Sequence, residues 1–219
     1  MQADNDKAVR IVIITGKGQS FSSGADVNWM RSMINFDHDT NYHDALQLAT
    51  LLHTLYSLSK PTIARINGSA FGGALGLIAC CDIAISVEHA KFAFTEVLLG
   101  LVPAVISPYI IAAIGQRQTK RLFLSAERFD TNDSCKLGLL HRSVAPEELD
   151  NTIETEIKKL LKTGPVAQGE CKQLIHRLST VPDDISQYTA ELIARLRISD
   201  EGQEGINAFL DKRKPDWIQ

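Results

Sequence analysis

The chain has 219 residues, 44% of them hydrophobic and 22% charged, which is typical of a globular protein with one substantial core. Its formal net charge of −3, without a block of like charges, gives no basis for binding nucleic acid or an anionic membrane surface. Because no apolar stretch approaches the roughly 20 residues of a membrane span and the polar start lacks a signal-peptide core, we expect a cytoplasmic protein without membrane contact.

Strands and helices alternate in the first part of the chain. A β-branched run predicts a buried strand at 9–15, and Asp26 is placed to cap a short helix that reaches Met33. Apolar residues at helical spacing predict an amphipathic helix from His43 to Leu58. The next predicted elements are a strand at 62–66, a buried helix at 74–81, and strands at 82–86 and 91–94.

The later part of the chain is mainly helical. Residues 95–105 contain too many bends for a regular element. The predicted helices that follow lie at 106–114, 119–125, 146–161, 166–178, 185–198 and 204–212. We therefore predict two domains, an α/β core at 1–145 and a helical oligomerisation module at 146–219.

Two glycine-containing turns are candidates for binding an oxygen atom. Gly72-Gly73 lies between a predicted strand and a predicted helix, where the first helical amides have no partner within the helix and point outward. Ser23-Gly24-Ala25 is a second place where small side chains leave a backbone amide exposed after a strand. Two such amides could hold one carbonyl oxygen that becomes an anion.

Glu96 is the candidate proton-transfer group. It follows Phe92 and Phe94 and lies among apolar residues, so partial burial is expected to raise the pKa of its carboxyl. A loop glutamate in solvent or in an ion pair is the alternative interpretation of the same pattern. The four cysteines suit neither a disulfide framework nor a zinc site, and no metal is expected.

Four segments in this order resemble the crotonase, or enoyl-CoA hydratase/isomerase, superfamily. They are Phe21 to Asp26, Asn67 to Gly73, Cys81 to Ala84 and Ala90 to Val97. The resemblance implies a spiral of ββα turns with trailing helices, assembled as a homotrimer or a dimer of trimers. It also implies an acyl-CoA substrate, with coenzyme A as part of the substrate and no separate cofactor.

The resemblance assigns roles to individual residues. It implies that the amides of Ala25 and Gly73 hold the thioester oxygen and that Glu96 is the second catalytic glutamate of the family. The family's first catalytic glutamate falls at Gly76, so one water-orienting group is missing. Further residues expected to line the substrate site are Ser23, Asp26, Val27, Gly72, Gly76, Pro103 and Lys212, the last through the phosphates of coenzyme A in a neighbouring subunit.

The segments 76–82 and 101–109 most resemble bacterial methylglutaconyl-CoA or carboxygeranoyl-CoA hydratases. This resemblance implies reversible hydration of a branched 2-enoyl-CoA, and we expect Gly76 to leave room for a carboxylate of the substrate. The alternatives are a double-bond isomerase that uses Glu96 alone and a non-catalytic acyl-CoA-binding subunit. The family has roughly fifty further residues before Val9 by this resemblance, so the amino-terminal part of the spiral is expected to be missing.

Overall fold

Strands and helices alternate in the computed structural model, which describes residues 2–33, 35–178 and 185–218. The strands are β1 (Val12–Thr15), β2 (Thr62–Ile66), β3 (Ala70–Phe71), β4 (Ile83–Val87), β5 (Lys91–Ala93), β6 (Phe129–Asp130) and β7 (Arg142–Val144). The first α-helices are α1 (Gln2–Asn5), α2 (Val27–Met33), α3 (His38–Tyr56), α4 (Ala74–Cys80) and α5 (Ser107–Ser125). The later ones are α6 (Thr131–Leu137), α7 (Leu149–Leu160), α8 (Pro165–Arg177), α9 (Ile185–Arg197) and α10 (Asp200–Leu210). One-turn 3-10 helices cover Glu96–Leu99 and Pro146–Glu148.

The larger sheet has the strand order β1-β2-β4-β7. Strands β2 and β4 run parallel with Ile63 opposite Ile83, and β7 continues the parallel arrangement with Arg142 opposite Ile85. Strand β2 is buried along almost its whole length, as expected for an interior parallel strand that is covered on both faces.

The smaller sheet positions the segments that matter for the site. It has the order β3-β5-β6, in which β3 and β5 are parallel and Ala70 lies opposite Phe92. Ser22 forms an isolated parallel bridge to Ala70. The end of the Phe21-Ser22 segment, β3 and β5 therefore lie side by side and run in the same direction.

The chain divides into two compact units. One contains residues 13–56 and 62–153, and the other contains 1–12, 57–61 and 154–219. In the second unit the Glu201 carboxylate accepts hydrogen bonds of 2.8 Å from the amides of Val166 and Ala167 at the start of α8. Across the described ranges, no helix is long and apolar enough to cross a membrane.

Helix α5 bends at Gly115, whose φ of 76° and ψ of 158° are not helical. The two predicted helical segments on either side of this residue are therefore confirmed. The prediction of no regular element at 95–105 is wrong in part, because Glu96–Leu99 forms one 3-10 turn. The short elements β3, β6, β7 and α6 were not predicted, since runs of two to seven residues depend on pairing with neighbours more than on their own composition.

Candidate active site

The Gly72-Gly73 turn joins β3 to α4. Gly72 has a left-handed φ of 57°, which favours glycine, and its amide donates a 3.0 Å hydrogen bond to the Ala93 carbonyl oxygen at the end of β5. Gly73 is the N-cap of α4. Among the described residues its amide has no hydrogen-bond acceptor, as predicted for the start of a helix.

The second turn leaves the neighbouring segment after Ser22. Gly24 has a φ of 109°, and the exposed residue Ala25 follows with an amide that has no acceptor in the described parts of the chain. The Asp26 carboxylate accepts hydrogen bonds of 2.7 and 3.0 Å from the amides of Asn28 and Trp29, which confirms the predicted cap of α2. Three predicted substrate contacts, Ser23, Asp26 and Val27, are exposed here.

The register of the smaller sheet relates these turns to Glu96. Ser22, Ala70 and Phe92 are lateral neighbours, and Ala25, Gly73 and Thr95 each lie three residues further along their segments. Because the carboxyl ends of parallel strands meet at one edge, both turns and Glu96 leave the sheet at the same edge. The arrangement supports one site, and the convergence of the two amides on one oxygen stays a prediction.

The Glu96 carboxyl faces the first of the two glycine turns. Its Oε1 atom lies 3.4 Å from the position that a β-carbon on Gly72 would occupy. Its Oε2 atom is buried and has no hydrogen-bond partner in the described structure. Burial raises the pKa of Glu96, while backbone groups of Glu96 and Thr95 lower it by a smaller amount. The predicted partial desolvation is confirmed.

A buried aromatic cluster fixes the strand end from which Glu96 projects. Phe92 is 0% exposed and Phe94 is 1% exposed. The Phe94 ring packs against Phe123 at 4.7 Å and against Phe129 at 6.0 Å between centroids. Such packing restrains the backbone that leads into the 3-10 turn, so the carboxyl is held by a rigid part of the fold.

Gly76 does not leave room for a substrate, and this expectation is wrong. The residue is buried, and a β-carbon there would lie 2.3 Å from Ile106 Cγ2 and 3.4 Å from Leu52 Cδ2. Both neighbouring side chains are almost fully buried. The glycine therefore lets α4 pack closely against α3 and the start of α5, and the space beside it is filled by Ile106.

Two further predicted contacts come from other segments of the chain. Pro103 is buried and lines an apolar cavity of about 420 Å³ together with Val97, Val102 and Phe123. Lys212 belongs to the compact unit of residues 1–12, 57–61 and 154–219, called the helical unit below. It is exposed after α10 and has a φ of 55°. Its contact with coenzyme A stays a prediction.

Thr95 is a site residue that the sequence did not reveal. Its Oγ1 atom lies 3.7 Å from the same β-carbon position at Gly72 that Glu96 Oε1 approaches. A threonine immediately before a 3-10 turn is expected to cap that turn, so the sequence contains no signal that its hydroxyl faces the site. The side chain forms no capping hydrogen bond.

The sequence pattern of the enoyl-CoA hydratase/isomerase family matches residues 1–219. The crystal structure of an enoyl-CoA hydratase from Shewanella pealeana superimposes on this chain with a TM-score of 0.95. The two sequences are 43% identical, and the match covers 99% of this chain and 82% of that chain. A short-chain-enoyl-CoA hydratase of Clostridium acetobutylicum is 30% identical over 97% of this chain and 82% of its own length. A mevalonyl-coenzyme A hydratase of Aspergillus fumigatus is 30% identical over 98% of this chain and 80% of its own length.

These matches confirm the predicted α/β crotonase fold with trailing helices. The names of the three relatives give different substrates for hydration, and none of them is named as a methylglutaconyl-CoA hydratase. The chain belongs to the enoyl-CoA hydratase/isomerase family and is an enzyme of the hydro-lyase type that acts on acyl-CoA thioesters.

Proposed function

We propose that the chain adds water reversibly to a branched 2-enoyl-CoA of the methylglutaconyl type. The main support for hydration is the position of the Glu96 carboxyl. It faces the Gly72-Gly73 turn, and one of its oxygens is buried without a partner among the described residues. A general acid/base needs a raised pKa and a position beside the reacting atoms. The branched acyl group rests on the resemblance of segments 76–82 and 101–109.

The two free amides supply the electrophilic half of the mechanism. The thioester carbonyl oxygen accepts hydrogen bonds from the amides of Ala25 and Gly73, which stabilise the negative charge of the enolate. One such donor is typically worth about 3 kcal/mol of transition-state stabilisation. Coenzyme A enters and leaves as part of the substrate.

Glu96 supplies the proton transfer. As the water oxygen bonds to C3, the Glu96 carboxylate takes one proton from that water and the C2–C3 π electrons move toward the thioester. The resulting carboxylic acid then returns the proton to C2. The net change is one molecule of water added across the double bond, and Glu96 ends in its starting state.

The remaining residues contact the substrate outside the reacting atoms. Ser23, Val27 and the bare α-carbon of Gly72 border the thioester, and Asp26 acts indirectly by fixing the start of α2. Pro103 lines an apolar cavity beside the Glu96 turn. Lys212 contacts coenzyme A phosphates from a neighbouring subunit of a homotrimer or a dimer of trimers.

A double-bond isomerase is the second candidate function, and Gly76 is the observation that favours it. The residue has no side chain with which to orient water. Moving a double bond from the 3- to the 2-position needs one base and no water, so Glu96 alone would be sufficient.

An assay of the purified protein on three thioesters tests these functions. The substrates are a methylglutaconyl-type 2-enoyl-CoA, crotonyl-CoA and a 3-enoyl-CoA. We expect hydration of the branched substrate to exceed that of crotonyl-CoA. Equal rates of hydration for the branched substrate and crotonyl-CoA would contradict the specificity for a branched substrate. Double-bond migration without hydration would favour the isomerase. Binding without turnover would indicate a non-catalytic subunit.

A further inference from the structure

The hydroxyl of Thr95 forms no hydrogen bond within the described parts of the chain. Threonine is a preferred N-cap because its hydroxyl accepts hydrogen bonds from the free amides of the first helical turn. Thr95 occupies the N-cap position of the 3-10 helix Glu96–Leu99 but forms no side-chain capping bond. Among the described residues, its hydroxyl has no other hydrogen-bond partner. The hydroxyl is therefore available to a ligand.

The hydroxyl of Thr95 and the carboxyl of Glu96 face the same small space. The β-carbon position at Gly72 lies 3.7 Å from Thr95 Oγ1 and 3.4 Å from Glu96 Oε1. Gly72 has no side chain, so its α-carbon leaves this space open. A small polar molecule that rests against Gly72 has both oxygens beside it.

The hydration step needs two groups on the attacking water. A water bound only by the Glu96 carboxylate can rotate about that hydrogen bond, and a second bond directs its lone pair toward C3. The first turn of α4 offers no such group, because Gly76 has no side chain and Ile106 fills the adjoining space. The second group must therefore come from another element.

We propose that the Thr95 hydroxyl is this second group and holds the attacking water together with Glu96. The inference rests on the proposed hydration activity. As the water oxygen bonds to C3, its proton passes to the Glu96 carboxylate and from there to C2. Thr95 keeps its own proton throughout and contributes a hydrogen bond that orients the water.

The test compares Thr95→Val, which replaces the hydroxyl with a methyl group of similar size, with Thr95→Ser, which keeps the hydroxyl. Two rates are measured, namely hydration of a 2-enoyl-CoA and exchange of the α-proton of a saturated acyl-CoA in heavy water. Exchange needs Glu96 and the amides but no attacking water. We expect Thr95→Val to lower hydration by about 10-fold or more, to leave exchange within about 2-fold, and Thr95→Ser to restore hydration.

Thr163→Val is the control, because this exposed threonine lies in the helical unit. Its hydroxyl donates a hydrogen bond to the Leu160 carbonyl oxygen and accepts one from Gln168 Nε2. Thr163→Val should leave both rates unchanged. A binding readout is independent of turnover. Calorimetry should show that Thr95→Val weakens binding of a 3-hydroxyacyl-CoA by about 3- to 10-fold relative to a saturated acyl-CoA, since only the former carries the oxygen that Thr95 would contact.

The outcomes separate this role from the proposed function. Normal hydration by Thr95→Val would overturn the role of Thr95 alone. Equal loss of hydration and exchange would also overturn it, since a structural effect on Glu96 predicts that pattern. Failure of the wild-type protein to hydrate any of the enoyl-CoA substrates would overturn the proposed function and the role of Thr95 with it.

Discussion

Glu96 has a position that suits catalysis and opposes stability. Burial raises the pKa of its carboxyl, and its Oε2 atom has no partner among the described residues. The folded protein therefore holds the proton of Glu96 more tightly than the unfolded chain does. Functional sites commonly contain groups of this kind, because the same desolvation that destabilises the charged form gives the group a useful pKa.

The raised pKa predicts a pH dependence of stability. Below the unfolded-state pKa of about 4.3 the carboxyl is protonated in both states, and its burial costs little. As the pH rises through the folded-state pKa, the charged carboxylate destabilises the folded protein, so the free energy of unfolding falls. Replacement of Glu96 by Gln should remove this fall and should stabilise the protein at neutral pH. Urea unfolding of both proteins at pH 4 and pH 7.5 measures the effect. If the difference between their free energies of unfolding were the same at the two pH values, the prediction would be wrong.

At the scale of elements, the close packing of α4 depends on Gly76. A Gly76→Glu change would place a β-carbon 2.3 Å from Ile106 Cγ2 and would add a charged side chain at a buried position among apolar residues. We expect the free energy of unfolding to fall by about 3 kcal/mol or more. Ile106→Ala should relieve part of the clash, so the double variant should lose less stability than the two single changes together. Strict additivity in urea unfolding would show that Ile106 is not the residue that excludes a side chain at position 76.

The loop at 16–20, which precedes the Ala25 turn, is tied to the end of β2 by one side chain. Asn67 Oδ1 accepts a 3.0 Å hydrogen bond from the Gly16 amide, and Asn67 Nδ2 donates a 2.9 Å bond to the Gly18 carbonyl. Replacement of Asn67 by Ala should therefore lower the free energy of unfolding by about 1–3 kcal/mol. Asn67→Asp keeps the acceptor and should lose less. Thermal unfolding of the three proteins measures this order, and equal losses for the two variants would argue against it.

Most of the elements and the two glycine turns could be predicted from the sequence, because each depends on local chemistry. The strand at 62–66 contains the buried apolar residues Ile63, Ala64 and Ile66 within one short run. Asp26 caps α2 through amides two and three residues away. The packing of Gly76 against Ile106 could not be predicted, since these residues are thirty positions apart and meet only through the tertiary fold. The hydroxyl of Thr95 was missed for a similar reason, because its direction depends on the shape of a turn.

At the scale of the whole molecule, the helical unit carries apolar side chains in solvent. Ile198 is 79% exposed, Phe209 is 82% exposed and Leu210 is 68% exposed. Apolar surface of this kind is stabilised when another subunit covers it. We predict a homo-oligomer, with three subunits or a multiple of three. Light scattering at micromolar concentration measures the mass directly, and a monomer would contradict the prediction.

The central claim is that Glu96 transfers the proton in a reaction whose thioester is held by backbone amides. Steady-state hydration of a 2-enoyl-CoA by the wild-type protein and by Glu96→Gln, together with calorimetric binding of a saturated acyl-CoA, tests it most directly. Glu147→Gln is the matched control, because Glu147 is an exposed glutamate at the other 3-10 turn. We predict that Glu96→Gln lowers kcat by about 100-fold or more while binding stays nearly unchanged, and that Glu147→Gln changes neither. Hydration by Glu96→Gln at the wild-type rate would contradict the account.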